Sequence, residues 1–423
     1  MRTMWLLCGA GILCGAACVP LAAQTPAGNV EATGRGDPRL ASFDRLMKQF
    51  LHDHELPGAA LAVARRGRLV YARGFGYADR ATKEPVQPNA LFRIASISKP
   101  LTAVAVLQLV ERGQVKLEDS VFEVLRLREP GKDEGRFDPR WKMTTIRQLL
   151  QHRGGWDRDK SFDPMFRSPA IVKELHVEPP ARPDDIIRYM LRRPLDFTPG
   201  DRYAYSNFGY CLLGRVIEKV SGQSYEDYVR KEVLAPLGIH RMRLGATLLE
   251  MRKRGEVKYY VPDKVRAPAV MGPRLGKPVP LPYGTWCLES MDAHGGWLAS
   301  APDLVRFVSC FDDPHHCKIL KAKSIDILFA RPPGAAGKEA NGKPRAAYYA
   351  CGWMVRPVGD TGQANIWHTG SLDGTSTLLV RRHDGLAWAV LFNSRASAKK
   401  KEPAAAIDPL VHQAADAVKN WPR

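Results

Sequence analysis

The 423-residue chain has no Gly-x-Ser-x-Gly stretch, which excludes the strained strand-to-helix serine of the α/β-hydrolases. It has no internal repeat, so solenoids and propellers are excluded as well. Recognised metal-ligand spacing is also missing. Asp312, Asp313, His315 and His316 crowd one short segment, which reads as a hydrated loop rather than a metal site. Acid is scarce, with 44 Asp and Glu against 63 Lys and Arg and a formal charge of +19. Neither a nucleic-acid module nor a basic stripe interleaved with aromatics accompanies that excess. Nucleic acid is therefore not an expected partner, and anionic cell-envelope polymers are the nearer one.

What is present begins with a secretory signature. Arg2 precedes an apolar run over 5–19, short for a membrane span, and Leu21-Ala22-Ala23 stands before Gln24. Residues 1–23 read as a signal peptide. The protein is expected to be secreted or periplasmic, with no transmembrane span in the mature chain. Lipidation at Cys18 is the alternative, although Gly15 stands where a lipobox wants leucine. Residues 24–38 are small and polar and read as a disordered leader. Cys211, Cys287, Cys310, Cys317 and Cys351 survive cleavage, and an odd number leaves one free. Cys310 and Cys317 flank a Pro-containing turn and are the expected disulfide in an oxidising compartment.

The chemistry is expected in 92–113. From 101 to 110 only Thr102 and Gln108 are polar, so the helix there is buried on nearly every side. Pro100 is tolerated only in a first helical turn, which starts the helix near Ser96; Gly113 supplies a stop. Ser96 then sits at a helix N-terminus, which favours a developing anion. Lys99, three residues on, shares its face. A hydroxyl beside an amine on a buried helix is a nucleophile with its proton acceptor. Ser-x-x-Lys alone is a weak pattern, and a second copy, Ser397 to Lys400, lies in a lysine-rich polar run and reads as a solvated loop.

Strands gather at both ends of the chain and helices in the middle. Phe43, Leu46, Met47, Phe50 and Leu51 recur at helical spacing. Strands follow at 59–65 and 68–74. Helices are expected at 144–151, 183–191, 206–220 and 225–234, and 251–285 reads as a basic, proline-rich surface excursion. A helix at 301–311 precedes strands at 348–355, 365–369, 376–381 and 386–392, the last two joined by Asp384-Gly385. Ile407, Leu410, Val411, Ala414 and Val418 mark a terminal helix. The expected architecture is an α/β (α+β) fold with an antiparallel sheet built from 39–114 and 286–423 and a mostly helical insertion at 115–285. A site would lie in the cleft between them.

Two more segments carry candidate chemistry. Tyr205 and Asn207 stand just after the Pro199-Gly200 turn. A lysine cation close to Tyr205 would lower its pKa, and a base near neutrality needs about three units from a phenol's usual 10, roughly 4 kcal/mol. Asn207 offers an amide to a substrate or to Lys99; the bland reading is a helix cap. His368-Thr369-Gly370-Ser371 lies on a strand, where glycine often marks close approach of a ligand or backbone.

Ser96-Ile-Ser-Lys99, Tyr205-Ser-Asn207 and His368-Thr-Gly370, in that order at separations of 109 and 163 residues, resemble the serine hydrolases of the penicillin-binding protein and class C β-lactamase superfamily. Flanking text around Thr145, Ser206 and Gly295 is similar too, and the resemblance covers roughly 40 to 395. It implies a five-stranded antiparallel sheet flanked by helices and an acyl-enzyme on Ser96. Lys99 and Tyr205 would share proton transfer, with Asn207 on the substrate and the backbone N–H groups of Ser96 and Ser371 on the oxyanion. It implies neither metal nor organic cofactor. Class C enzymes carry lysine where this chain has His368, which histidine, mostly neutral at pH 7, does not replace as a cation. The expected substrates are therefore D-amino-acid peptides, as for a D,D-carboxypeptidase. Short esters, then β-lactams, are the alternatives, and a silent cell-wall peptide-binding protein is the non-enzymatic one.

Overall fold

The computed structural model describes residues 30–131, 133–262 and 264–422; the expected signal peptide lies outside them. Five long strands form the centre of one antiparallel sheet: β1 (Gly58–Arg65), β2 (Arg68–Asp79), β3 (Ala364–Leu372), β4 (Thr375–Arg381) and β5 (Leu386–Phe392), in the order β2-β1-β5-β4-β3. Four short strands extend these five to nine. Arg66 and Gly67 both have positive φ, 49° and 75°, the pair a type I′ hairpin turn requires between β1 and β2.

Each central strand feeds two cores. Ala59, Leu61 and Val63 face one cluster, and Ala60, Ala62 and Ala64 face the other, as a two-residue period dictates. Helices α1 (Ala41–His54) and α5 (Pro403–Asp416) cover the first face. On the second, small side chains let α4 (Ala301–Ser309) lie close against β1 and β5. Helix α2 (Ser98–Glu111) is buried from Ser98 through Leu109, as its near-uniform apolarity requires. It packs against α3 (Asn207–Ser221), which belongs to the mostly helical middle of the chain.

Several expectations need correction. Residues 24–29 lie outside the described part, but from Val30 the leader is ordered. Ala32 and Thr33 pair with Phe75 and Gly74 of β2, and Arg73 donates to the carbonyls of Ala32 and Thr33. An otherwise open sheet edge supplies the partner that composition could not reveal. The single strand expected at 348–355 is two short ones, Tyr348–Tyr349 and Met354–Pro357, turned at Gly352 with φ 80°. Part of the 251–285 excursion is core: Val257, Tyr259 and Val279 are buried. Tyr259, Tyr283 and the adjoining Trp286 gather around Arg93, whose guanidinium donates to the carbonyls of Pro282, Ala246 and Thr247. Cys310 and Cys317 are free thiols, joined by a hydrogen bond rather than a covalent link.

Candidate active site

Three elements meet at Ser96. The strand Phe92–Arg93 pairs with Trp297–Ala299, and Thr375 and Thr377 of β4 donate to the carbonyls of Arg93 and Ile94. Held there, the chain turns sharply: Ala95 takes φ 47°, a conformation costing a non-glycine residue about 1–3 kcal/mol. Ser96 follows in a 3-10 turn, Ala95–Ile97, that runs into α2. Its side chain is half-buried at the helix start, where the unpaired N–H groups lie.

Lys99 is fully buried one turn on. Its Nζ lies 3.0 Å from Ser96 Oγ, 2.8 Å from Asn207 Oδ1 and 3.1 Å from the His294 carbonyl. Burial pushes the Lys99 ammonium well below its usual range, against a smaller opposing pull from Asp163.

Asn207 is not the helix cap. Ser206 caps α3 by accepting from Gly209 N, which leaves the Asn207 side chain to the site. Its Nδ2 donates to Asp163 Oδ2 at 2.6 Å, and Asp163 Oδ1 accepts from Met165 N at 3.1 Å. Asp163 thus fixes which end of the amide faces Lys99.

Tyr205 hydrogen-bonds Ser96 through its hydroxyl, and Lys99 Nζ stands 4.7 Å from its ring centroid. The pKa expected to fall has instead risen: burial raises the phenol. Burial disfavours the ammonium form of Lys99, the cation that was to reverse that.

His368 is buried, with Nδ1 2.6 Å from the Thr369 carbonyl and Nε2 3.0 Å from the Tyr349 hydroxyl. Burial pushes it down to about 3. The ring is neutral, donates from Nδ1 and accepts from Tyr349, so it offers no charge to a substrate at any working pH. Thr369 and Ser371 are exposed on β3. Among the described residues, β3 loses its outer neighbour after Trp367, so the segment from His368 onward is an open edge beside Ser96. Gly370 is required there: a Cβ would stand 2.1 Å from the Ile94 carbonyl and 2.3 Å from Thr377 Oγ1.

The structure therefore brings Ser96, Lys99, Tyr205, Asn207 and the His368-to-Ser371 edge together. The second Ser-x-x-Lys copy is elsewhere, with Ser397 bonded to His54. Sequence reasoning missed Asp163 and His152. His152 is buried, takes φ 54°, and accepts from Ser206 N while packing 4.2 Å from the Tyr205 ring centroid. The one signal for it was its place at the end of a short helix before Gly154-Gly155; for Asp163 there was none.

A beta-lactamase family profile matches residues 43–413. A penicillin-binding protein of Bacillus subtilis (strain 168) is 29% identical over 336 residues, 78% of this chain and 66% of its own. Esterase EstB of Burkholderia gladioli is 32% identical over 274 residues, 63% of this chain and 62% of its own. The chain spans less than two thirds of the length of these curated relatives. The octameric penicillin-binding protein homologue from Pyrococcus abyssi superimposes with a TM-score of 0.67 at 25% identity, covering 90% of this chain and 78% of that one. D-amino acid amidase from Ochrobactrum anthropi SV3 shares the fold, with a TM-score of 0.65 at 22% identity over 89% and 98% of the two chains. With the profile spanning most of its length, the chain belongs to the beta-lactamase family of serine hydrolases.

Proposed function

We propose that the chain hydrolyses small acyl compounds through a covalent acyl-Ser96 intermediate. The observation that carries this reading is the amine of Lys99, 3.0 Å from Ser96 Oγ, with its two other contacts made by carbonyl oxygens. A neutral amine has two N–H groups and one lone pair. The N–H groups go to Asn207 and His294, and the lone pair faces the Ser96 hydroxyl. Lys99 takes that proton as Oγ bonds the substrate carbonyl carbon. Tyr205, kept protonated by burial, gives its proton to the leaving oxygen or nitrogen and recovers one from Lys99. Water then attacks the acyl carbon by the reverse path and frees Ser96. The backbone N–H groups of Ser96 and Ser371 receive the oxyanion, and the scheme uses neither metal nor organic cofactor.

D-amino-acid peptides are the first substrate class, cleaved as by a D,D-carboxypeptidase, with the penicillin-binding relative in support. Short esters are the second reading, favoured by the neutrality of His368 and by the esterase relative. Export through residues 1–23 would set the enzyme among anionic envelope polymers that suit its basic surface. The test is incubation with a penicillin, a D-alanyl peptide and a nitrophenyl ester, read by intact mass and product release. An adduct or turnover is expected with the wild type and neither with Ser96→Ala. Adduct formation at the wild-type rate in that variant, or no reaction of the wild type with any of the three, refutes the reading.

A further inference from the structure

We propose that Arg158 is the cation that reads a carboxylate on the substrate. Its Cζ stands 4.5 Å from the centroid of the Tyr205 ring, whose hydroxyl bonds Ser96. Lys99 Nζ lies near the same ring. The Arg158 charge is felt at Lys99, His152, Asp163, Tyr203 and Tyr205, the groups that build the site.

Among the described residues, the other cations near Ser96 are committed. Arg93 is buried behind the nucleophile turn and donates to three carbonyls. Lys99 is enclosed, and its Nζ is already engaged by Ser96, Asn207 and the His294 carbonyl. Arg153 donates to Gly200 and Gln151. Arg158 keeps 41% of its side chain exposed, and its ion pair is a long one, 3.8 Å to an Asp159 carboxylate that is itself 87% exposed. Such a pair is screened and easily exchanged. Contact with a ring spends no hydrogen-bond donor, so the guanidinium fork remains able to grip a carboxylate. The nearby acids do not compete: Asp157 pairs with Arg202 at 2.8 Å, and Asp163 is occupied by Asn207 and Met165. The ligand class is a small ester or amide carrying a carboxylate a few bonds from the scissile carbonyl.

This inference rests on acylation of Ser96. Its test compares para-nitrophenyl butyrate with the para-nitrophenyl monoester of succinic acid, which replaces a terminal methyl by a carboxylate. In Arg158→Gln the ratio of kcat/KM, anionic over neutral, is expected to fall about 10- to 100-fold, the range of a hydrogen-bonded charge contact. The loss should lie in KM for the anionic ester, deepen in Arg158→Glu and be partly restored in Arg158→Lys. Added salt should narrow the wild-type ratio and leave the Arg158→Gln ratio flat. A ratio unchanged in both Arg158→Gln and Arg158→Glu while both esters still turn over overturns this inference alone. A wild type that hydrolyses neither ester overturns it together with the acylation reading.

Discussion

Replacing Asp163 by asparagine keeps the shape of the side chain and removes one acceptor. The carboxylate now serves two donors, Asn207 Nδ2 at 2.6 Å and Met165 N at 3.1 Å. An amide has one oxygen, so one of those donors must face an N–H group. If Met165 keeps the oxygen, the Asn207 amide is driven to turn over. Its Nδ2 then points at Lys99, and the lone pair intended for Ser96 is taken. A lost buried hydrogen bond to a charged acceptor is worth about 1.5–3 kcal/mol. At about 1.36 kcal/mol per decade, that predicts a roughly 10- to 150-fold lower acylation rate. The assay is single-turnover acylation by a nitrophenyl ester, with a melting curve to confirm the fold. The pH profile separates this from simple loosening. Asp163 raises the Lys99 pKa, so removing its charge should move the acid limb of acylation to lower pH. Acylation within about twofold of wild type, or an unmoved acid limb, would refute the reasoning.

Three further outcomes are expected. Lys99→Met should cost about 100- to 10,000-fold in acylation, the worth of a positioned proton acceptor. Because Lys99 titrates below its ordinary value of 10.5, the unfolded chain binds a proton that the folded one refuses, and stability climbs as pH rises toward that value. Lys99→Met should flatten that climb in denaturant titrations between pH 7 and about 10; an unchanged slope would contradict a neutral buried amine. Cys317, pulled down to about 6 mainly by the hydrogen bond from Cys310, should react with iodoacetamide at pH 7 faster than Cys211, Cys287 and Cys351, which are buried; Cys310→Ala should slow it.

Ser96, Lys99, Tyr205 and Asn207 could be read from the chain because each is placed by a local rule. Pro100 and an all-apolar run start the nucleophile's helix, and a turn followed by a capping serine sets Tyr205 and Asn207 at the head of the next. The charge states could not be read. They depend on how completely other segments enclose Lys99, His368 and Tyr205, and enclosure is decided by contacts far away in sequence. The same holds for Asp163, His152 and Arg158. Asp163 and Arg158 come from loops with no periodicity and His152 from the end of a short helix, and their use rests on where Asn207 and Tyr205 happen to face. The ordered leader and the docked 251–285 segment were missed for a related reason, since a basic, proline-rich stretch reads as solvated until its partner is known.

The cage around Arg93 has an evolutionary consequence. The cage closes at Tyr259 and at Tyr283 with Trp286, and the hairpin of Arg266–Pro268 with Pro278–Pro280 lies between those anchor points. Insertions, deletions or charge changes in that hairpin alter the rim of the molecule without tugging on the turn that holds Ser96. The reaction and the relief around it can therefore diverge separately.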